Sequence, residues 1–299
     1  MIYFDLHSDT LYEAYHKNVS PFSSTALSAS IDSLSCPNTR VLAIWSDQIL
    51  SDEEAYQDFF RILAHYHATQ DTGKAPTLCT PILAVEDARV LSGKLDRLDT
   101  LYAYGVRILT LTWKDSSCIG GAWNTCEGLT KFGKNVIEKA ISLGMAIDLS
   151  HASDTTFWQA IDICRTYHSA PMASHSNSRS LCSHRRCLTD EMFKAILSLN
   201  GIVGISFVPY HLSDTNQAST QTVIQHIKHF LALGGVDSLA IGSDFDGVDR
   251  LPYGLENINQ INHFAKLLAQ ETSCNIAKKI LWQNAYQYTQ RFSPPFTDR

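Results

Sequence analysis

No stretch of this sequence approaches the roughly 18 consecutive apolar residues of a membrane-spanning helix. No basic segment followed by an apolar one opens it, because Asp5 interrupts after four residues. These absences set the expectation of a soluble, cytoplasmic protein. Positive charge is scarce: 24 Lys and Arg against 30 Asp and Glu leave a formal charge of −6. That balance argues against nucleic acid and against an anionic membrane as partners, since both reward a basic face. Eight cysteines are scattered along the chain without a single C-x-x-C, which argues against a zinc knuckle or a thioredoxin-like motif. They read as reduced, mostly buried thiols, with Cys118 and Cys126 the pair to check because they share a loop. No low-complexity tract, long linker or charge block divides the 299 residues, so one domain over 1–299 is expected.

What recurs instead is a short β-rich run followed by a helical stretch. Strands read at 2–6, 41–46, 81–86, 106–112, 145–150, 171–175, 201–208 and 238–243. Most are continuously apolar, as parallel strands buried on both faces should be. Between them, Ser51 and Glu54 form a capping box, and Phe59, Ile62, Leu63 and Tyr66 share one helical face. Helices also read at 130–143, 153–167, 188–199, 219–233, 257–269 and 275–291, with Ser153 and Thr189 as N-caps. Eight alternations with long crossovers predict an α/β fold, a (β/α)8 TIM barrel. A doubly wound open sheet is the runner-up, but the Gly-rich turn it usually carries after its first strand is missing.

Barrels of this kind carry their active sites at the C-terminal ends of the strands. Here those ends are loaded: His7-Ser8-Asp9, Glu86, Trp113-Lys114, His151, His175 and Asp244 each follow an apolar run. In His7-x-Asp9 both side chains leave the same side of an extended backbone, so an imidazole and a carboxylate can share a cation. Alone, each residue has a plainer reading: Glu86 as a helix cap or surface charge, each histidine as a core residue with one hydrogen bond. Taken together, His7, Asp9, Glu86, His151 and His175 supply five ligands, which suits two zinc-like ions sharing one carboxylate.

Asp5-Leu6-His7-Ser8-Asp9-Thr10, Trp45-Ser46, Val85-Glu86, Ile147-Asp148-Leu149-Ser150-His151, Ser174-His175-Ser176, Arg185-Arg186 and Ile241-Gly242-Ser243-Asp244-Phe245-Asp246-Gly247 resemble, in order, the membrane (renal) dipeptidase family of the amidohydrolase superfamily. The resemblance runs from residue 2 to about Asn284. It implies a binuclear Zn2+ barrel that hydrolyses dipeptides, L-D dipeptides included, by a metal-bridging hydroxide. By the same resemblance His7 and Asp9 hold one zinc, His151 and His175 the other, and Glu86 bridges them. Asp244 matches the catalytic carboxylate, and Arg186 the residue that takes the substrate's free carboxylate. Homodimers are common in the family. One departure stands out: animal members carry a carbonyl-polarising histidine where this chain has Trp113, and many bacterial relatives an asparagine where it has Lys114.

Trp113 and His211 are further candidates for the substrate pocket, and His184 lies in a loop near the barrel mouth. Asp246 reads as a loop-stabilising carboxylate. His65, His67, His226 and His229 read as solvated residues on outer helices. Two other functions compete with a dipeptidase. One is a barrel acting on another amide or lactam, for which Arg186 would have no carboxylate to bind. The other is a metal-holding barrel with little turnover.

Overall fold

Apolar runs without alternation have two faces to bury, and a closed parallel sheet wrapped in helices buries both. The computed structural model describes residues 2–70 and 77–292, and in it the runs pair in parallel and close in the order β1 to β8. The strands are β1 (Tyr3–Ser8), β2 (Asn38–Trp45), β3 (Cys79–Glu86), β4 (Val106–Thr110), β5 (Ala146–Asp148), β6 (Met172–Ala173), β7 (Ile202–Ile205) and β8 (Leu239–Ile241). The helices in chain order are α1 (Thr10–His16), α2 (Asp52–Ala68), α3 (Arg97–Ala103), α4 (Lys131–Ser142), α5 (Asp154–Thr166) and α6 (Asp190–Ser198). After β7 come α7 (Pro209–Leu212) and α8 (Thr220–Ala232), and after β8 come α9 (Ile261–Glu271), α10 (Cys274–Lys278) and α11 (Asn284–Thr289). This is the (β/α)8 barrel expected from the alternation.

The barrel interior is filled by Phe4, Leu6, Val41, Ala43, Ile82 and Ile108, and its floor is sealed by Ala285, Tyr288 and Phe292 from the last helix and the residues after it. A larger apolar layer, including Phe59, Phe157, Phe193 and Phe264, lies between strands and helices. The floor leaves the opposite, C-terminal rim free for polar chemistry.

Strands four to eight are all shorter than the sequence predicts, and at the exits of β5, β6 and β8 side chains replace the ladder. Asp148 Oδ1 accepts from the backbone amides of Ser150 (3.0 Å) and Ser174 (2.8 Å). Asp5 Oδ1 accepts in the same way from Ser243 (2.8 Å), at the seam where β1 meets β8. Two buried carboxylates therefore tie neighbouring strands just where the backbone turns outward. At that level a Cβ on Gly242 would lie 1.7 Å from the Ser174 carbonyl oxygen, so only glycine lets the β6 exit sit this deep.

The Ser51–Glu54 capping box and the Ser153 and Thr189 caps are all formed. All eight cysteines are free, Cys118 and Cys126 included, and four of them are buried. Three expectations need correction. His226 is buried, with Nδ1 accepting from the Ser178 amide (3.1 Å) and Nε2 donating to the Leu212 carbonyl (3.0 Å). His229 is half-buried and pairs with Asp190 of α6 at 2.8 Å. His65 is half-buried against the Val19 carbonyl, and only His67 is exposed. Loops folded over α2 and α8 cover positions that an isolated helix would leave in water. No helix of the described residues is long and apolar enough to cross a membrane.

Candidate metal centre and substrate pocket

The strand exits bring all five expected ligands to one point. Glu86, the last residue of β3, places Oε1 2.9 Å from His151 Nε2 and 3.5 Å from His175 Nε2. Its Oε2 lies 3.3 Å from His7 Nε2, which is also 3.4 Å from Asp9 Oδ2. His151 and His175 face each other, Nε2 to Nε2, at 2.9 Å, and the His7 and His175 rings are tilted by 33° with centroids 3.8 Å apart. Ligand atoms of His7, Glu86 and His175 lie within 4.8 Å of one another, as do those of His7, Asp9 and Asp244.

Hydrogen bonds on the far side of each ring decide what this convergence means. His151 Nδ1 contacts the Trp113 carbonyl at 3.0 Å, and a carbonyl only accepts, so Nδ1 carries the hydrogen and Nε2 the lone pair. The His151 lone pair and the Glu86 carboxylate, both acceptors, then stand 2.9 Å apart. Asp9 Oδ1 is buried without a hydrogen-bond partner, and His7 Nε2, buried between two carboxylates, makes no hydrogen bond of good geometry to either. An arrangement of acceptors facing acceptors is repulsive until a cation enters, and nitrogen with carboxylate oxygen is a zinc-type donor set. The residues present fit a metal centre.

The electrostatics agree for His151, His175 and Glu86, whereas the neighbouring carboxylates bias His7 toward its charged form. Burial holds His175 well below the ordinary histidine range, and the His7 and Arg186 cations add to that. Burial also lowers His151, helped by Arg186. Glu86 remains ionised: burial opposes its charge, but the His7 and His151 rings outweigh it. Burial disfavours a charged His7, yet Glu86 and Asp9 together push its pKa well up. Burial pushes Asp9 well above the usual carboxylate range, His7 pulls it back, and Glu86 and Asp244 add to the rise. Asp244 is raised by burial, opposed by His7 and reinforced by Glu86.

Asp244 sits beside Asp9 because the exits of β1 and β8 stay paired: the Asp244 amide donates to His7 O (3.1 Å) and the Asp9 amide to Phe245 O (2.9 Å). Its Oδ2 is 4.0 Å from His175 Nε2. Both Asp244 (φ 65°) and His151 (φ 66°) are left-handed, a conformation that aims each side chain inward at some backbone cost. Asp246 accepts from the Ser28 amide, the Ser28 hydroxyl and Thr10 Oγ1, which is the loop-stabilising role expected.

A cavity of about 390 Å³ opens above these residues. Arg186, Trp113 and His211 line it as expected, and so does His184. Arg186 is buried, with Nη1 donating to Ser176 Oγ (3.1 Å), Nη2 to the His175 carbonyl (3.2 Å) and Nε to nothing among the described residues. Arg185 points away, to the Thr125 carbonyl (2.7 Å). Lys114 lies exposed at the mouth. Sequence reasoning missed Tyr12, Trp45, Trp123 and Tyr210 in the walls and Gly247 beneath the carboxylates. Trp45 at the end of β2 was visible as a signal, but nothing separated it from a core residue, and Tyr12, Trp123 and Tyr210 lie in helices or a loop with no such mark. A larger surface depression of about 620 Å³ over residues 22–33 and 256–259 contains no histidine or cysteine.

A parallel barrel with histidines and carboxylates converging at its C-terminal rim is the architecture of metal-dependent hydrolases. The profile of the membrane dipeptidase family (peptidase family M19) matches residues 47–292, and the chain belongs to that family, one that carries a metal cofactor. His7 and Asp9 lie before the matched span, so their place in the centre rests on geometry. Dipeptidase 3 of Macaca fascicularis is 34% identical over 187 residues, covering 60% of this chain and 38% of that protein. Dipeptidase 3 of Homo sapiens is 33% identical over the same length. The match thus spans well under half of those relatives. Among solved structures, the metallo peptidase dipeptidase AC superposes with a TM-score of 0.85 at 20% identity, covering 98% of each chain. A Rhodobacter sphaeroides metallo peptidase, liganded with a phosphinate mimic of the dipeptide L-Ala-D-Ala, gives 0.79 at 18% identity, covering 98% of this chain and 99% of that one. At these identities the superpositions establish the fold.

Proposed function

We propose that this protein is a dipeptidase working with two zinc ions, His7 and Asp9 holding one, His151 and His175 the other, and Glu86 shared between them. The observation that carries the reading is the convergence of His151 Nε2, His175 Nε2 and Glu86 Oε1 within 2.9–3.5 Å. When bound, such ions supply a nucleophile from water near neutral pH and polarise a carbonyl. The protein's own groups do the rest. Asp244 has a raised carboxyl and stands beside the ligands, placed to take a proton and deliver it to the leaving amine. Arg186 holds the terminal carboxylate of the substrate with a fork that lysine cannot reproduce. Trp113 and His211 close the walls, lowering the water content around the scissile bond. Acceptance of L-D dipeptides is part of this reading, supported by the ligand of the Rhodobacter sphaeroides relative.

The test pairs metal analysis with a screen of L-L and L-D dipeptides on zinc-loaded protein, in which chelation should abolish turnover. Arg186→Met is the sharper probe. A shielded, bidentate ion pair contributes about 2–4 kcal/mol, or some 30- to 1000-fold in kcat/KM. The variant should lose that on free dipeptides and keep its slower cleavage of C-terminally amidated ones. Equal losses on both would show that Arg186 supports the structure, and a different amide would then be the substrate.

A further inference from the structure

We propose that Ser174, oriented by Asp148, is a positioning residue that fixes the imidazole tautomers of His7 and His175 so that both Nε2 lone pairs face Glu86. The inference rests on the metal reading above. It starts from a hydrogen count. Asp148 is fully buried. Its Oδ1 takes two backbone amides, those of Ser150 and Ser174, at 3.0 and 2.8 Å. Its Oδ2 takes two hydroxyls, Thr110 Oγ1 at 2.7 Å and Ser174 Oγ at 2.6 Å. Ser174 thereby commits its one proton to Asp148 and is left with two lone pairs. His175 Nδ1 lies 2.7 Å from that oxygen and His7 Nδ1 3.4 Å from it. With that one proton spent on Asp148, each ring must bring its own hydrogen to Nδ1; Ser150 Oγ, 3.4 Å away, is a further neighbour of the same oxygen. One serine thus serves a ligand from each side of the centre. His151 depends on the Trp113 carbonyl instead and provides an internal control.

The direction of these bonds makes Asp148→Asn a specific probe at unchanged size. The two backbone amides on the Oδ1 side hold the amide oxygen there, so the new NH2 faces Ser174. It donates to Ser174 Oγ, whose proton swings round to His175 Nδ1. His175 is then forced to carry its hydrogen on Nε2, against Glu86, where a ligand lone pair is needed. A wrong tautomer imposed by an Asp→Asn change behind a histidine is known to disable a site without disturbing its geometry.

The experiment is nitrogen-15 NMR of the histidine side chains in the metal-stripped full-length protein, together with zinc affinity by chelator competition. In the wild type, His175 should be the Nδ1–H tautomer. In Asp148→Asn it should become Nε2–H while His151 is unaltered, and zinc affinity should fall about 10- to 100-fold, the usual effect of losing such a support. Ser174→Ala should weaken zinc without imposing either tautomer. An Nε2–H His175 in the wild type overturns the proposal, even where the variants fail to fold. So does an Asp148→Asn protein with wild-type tautomer and zinc affinity. A wild type that shows the predicted tautomer and switch but binds no zinc would sustain the relay and refute the metal reading.

Discussion

Asp9 and Asp244 meet over Gly247, where an added Cβ would lie 2.3 Å from an oxygen of each. Gly247→Ala should therefore push the two carboxylates apart while leaving the barrel folded. A displacement of about 1 Å at a reacting centre costs on the order of 10²-fold in rate, and kcat of the purified variant against its circular dichroism would show it. Asp244→Asn tests a separate point. If Asp244 moves a proton, the variant keeps its metal and loses roughly 10²-fold or more in kcat. If zinc is lost instead, Asp244 is chiefly a ligand, joining His7 and Asp9. The residues that converge at the rim were legible because several apolar runs end in ionisable groups at once, where each alone has a plainer reading. Gly247, Ser174 and Asp148 were not: their contribution is a missing Cβ or the direction of a hydrogen bond, and neither leaves a periodic trace.

Among the elements, the long helices announced themselves through caps, and α1 and α3 did not. The residue before α1 is Asp9, whose carboxylate is turned into the metal centre and makes no cap bond. Asp96, before α3, also caps nothing. A start signal diverted to chemistry cannot mark a helix. Ser153 shows the opposite case. Its hydroxyl accepts from the Thr156 amide (2.9 Å) to start α5, and donates to the Glu127 carbonyl (2.5 Å) of the long loop after β4. Ser153→Ala should cost about 1–2 kcal/mol, read as a lower urea midpoint at unchanged slope. A change within error would mean that the loop carbonyl finds another donor.

At the scale of the molecule, the buried histidines whose pKa values are lowered make acid destabilising, while His7, Asp9 and Asp244, whose pKa values are raised, pull the other way. Burial lowers the pKa of His226, as it does those of His151, His175, His184 and His211. Such groups bind protons in the unfolded chain first, so stability is full above about pH 6.5 and falls as pH drops toward the folded values. Each contributes a slope of at most about 1.4 kcal/mol per pH unit in that window. His226 lies outside the centre, so the difference between wild type and variant in urea midpoints between pH 5 and 8, with chelator present, isolates it. His226→Gln should be weaker at pH 8 and show a shallower decline, and an unchanged slope would show that His226 is already protonated when folded. The eight-fold alternation was legible from the sequence because parallel burial leaves apolar runs. The covering of His226 was not, since the Ser178 and Leu212 groups that cover it come from distant segments.

The seam between β1 and β8 also has a consequence for biosynthesis. Ser243 Oγ donates to Asp5 Oδ2 (2.6 Å) across 238 residues of chain, and Asp9 is placed by its bond to Phe245. The first ligands to leave the ribosome therefore wait for the last strand before they acquire their geometry. An incomplete chain has an open ring and no assembled hydrolytic centre, whatever else of it has folded. On the proposed dipeptidase reading, turnover would certify completed synthesis, and chains truncated before β8 would be inert rather than merely impaired.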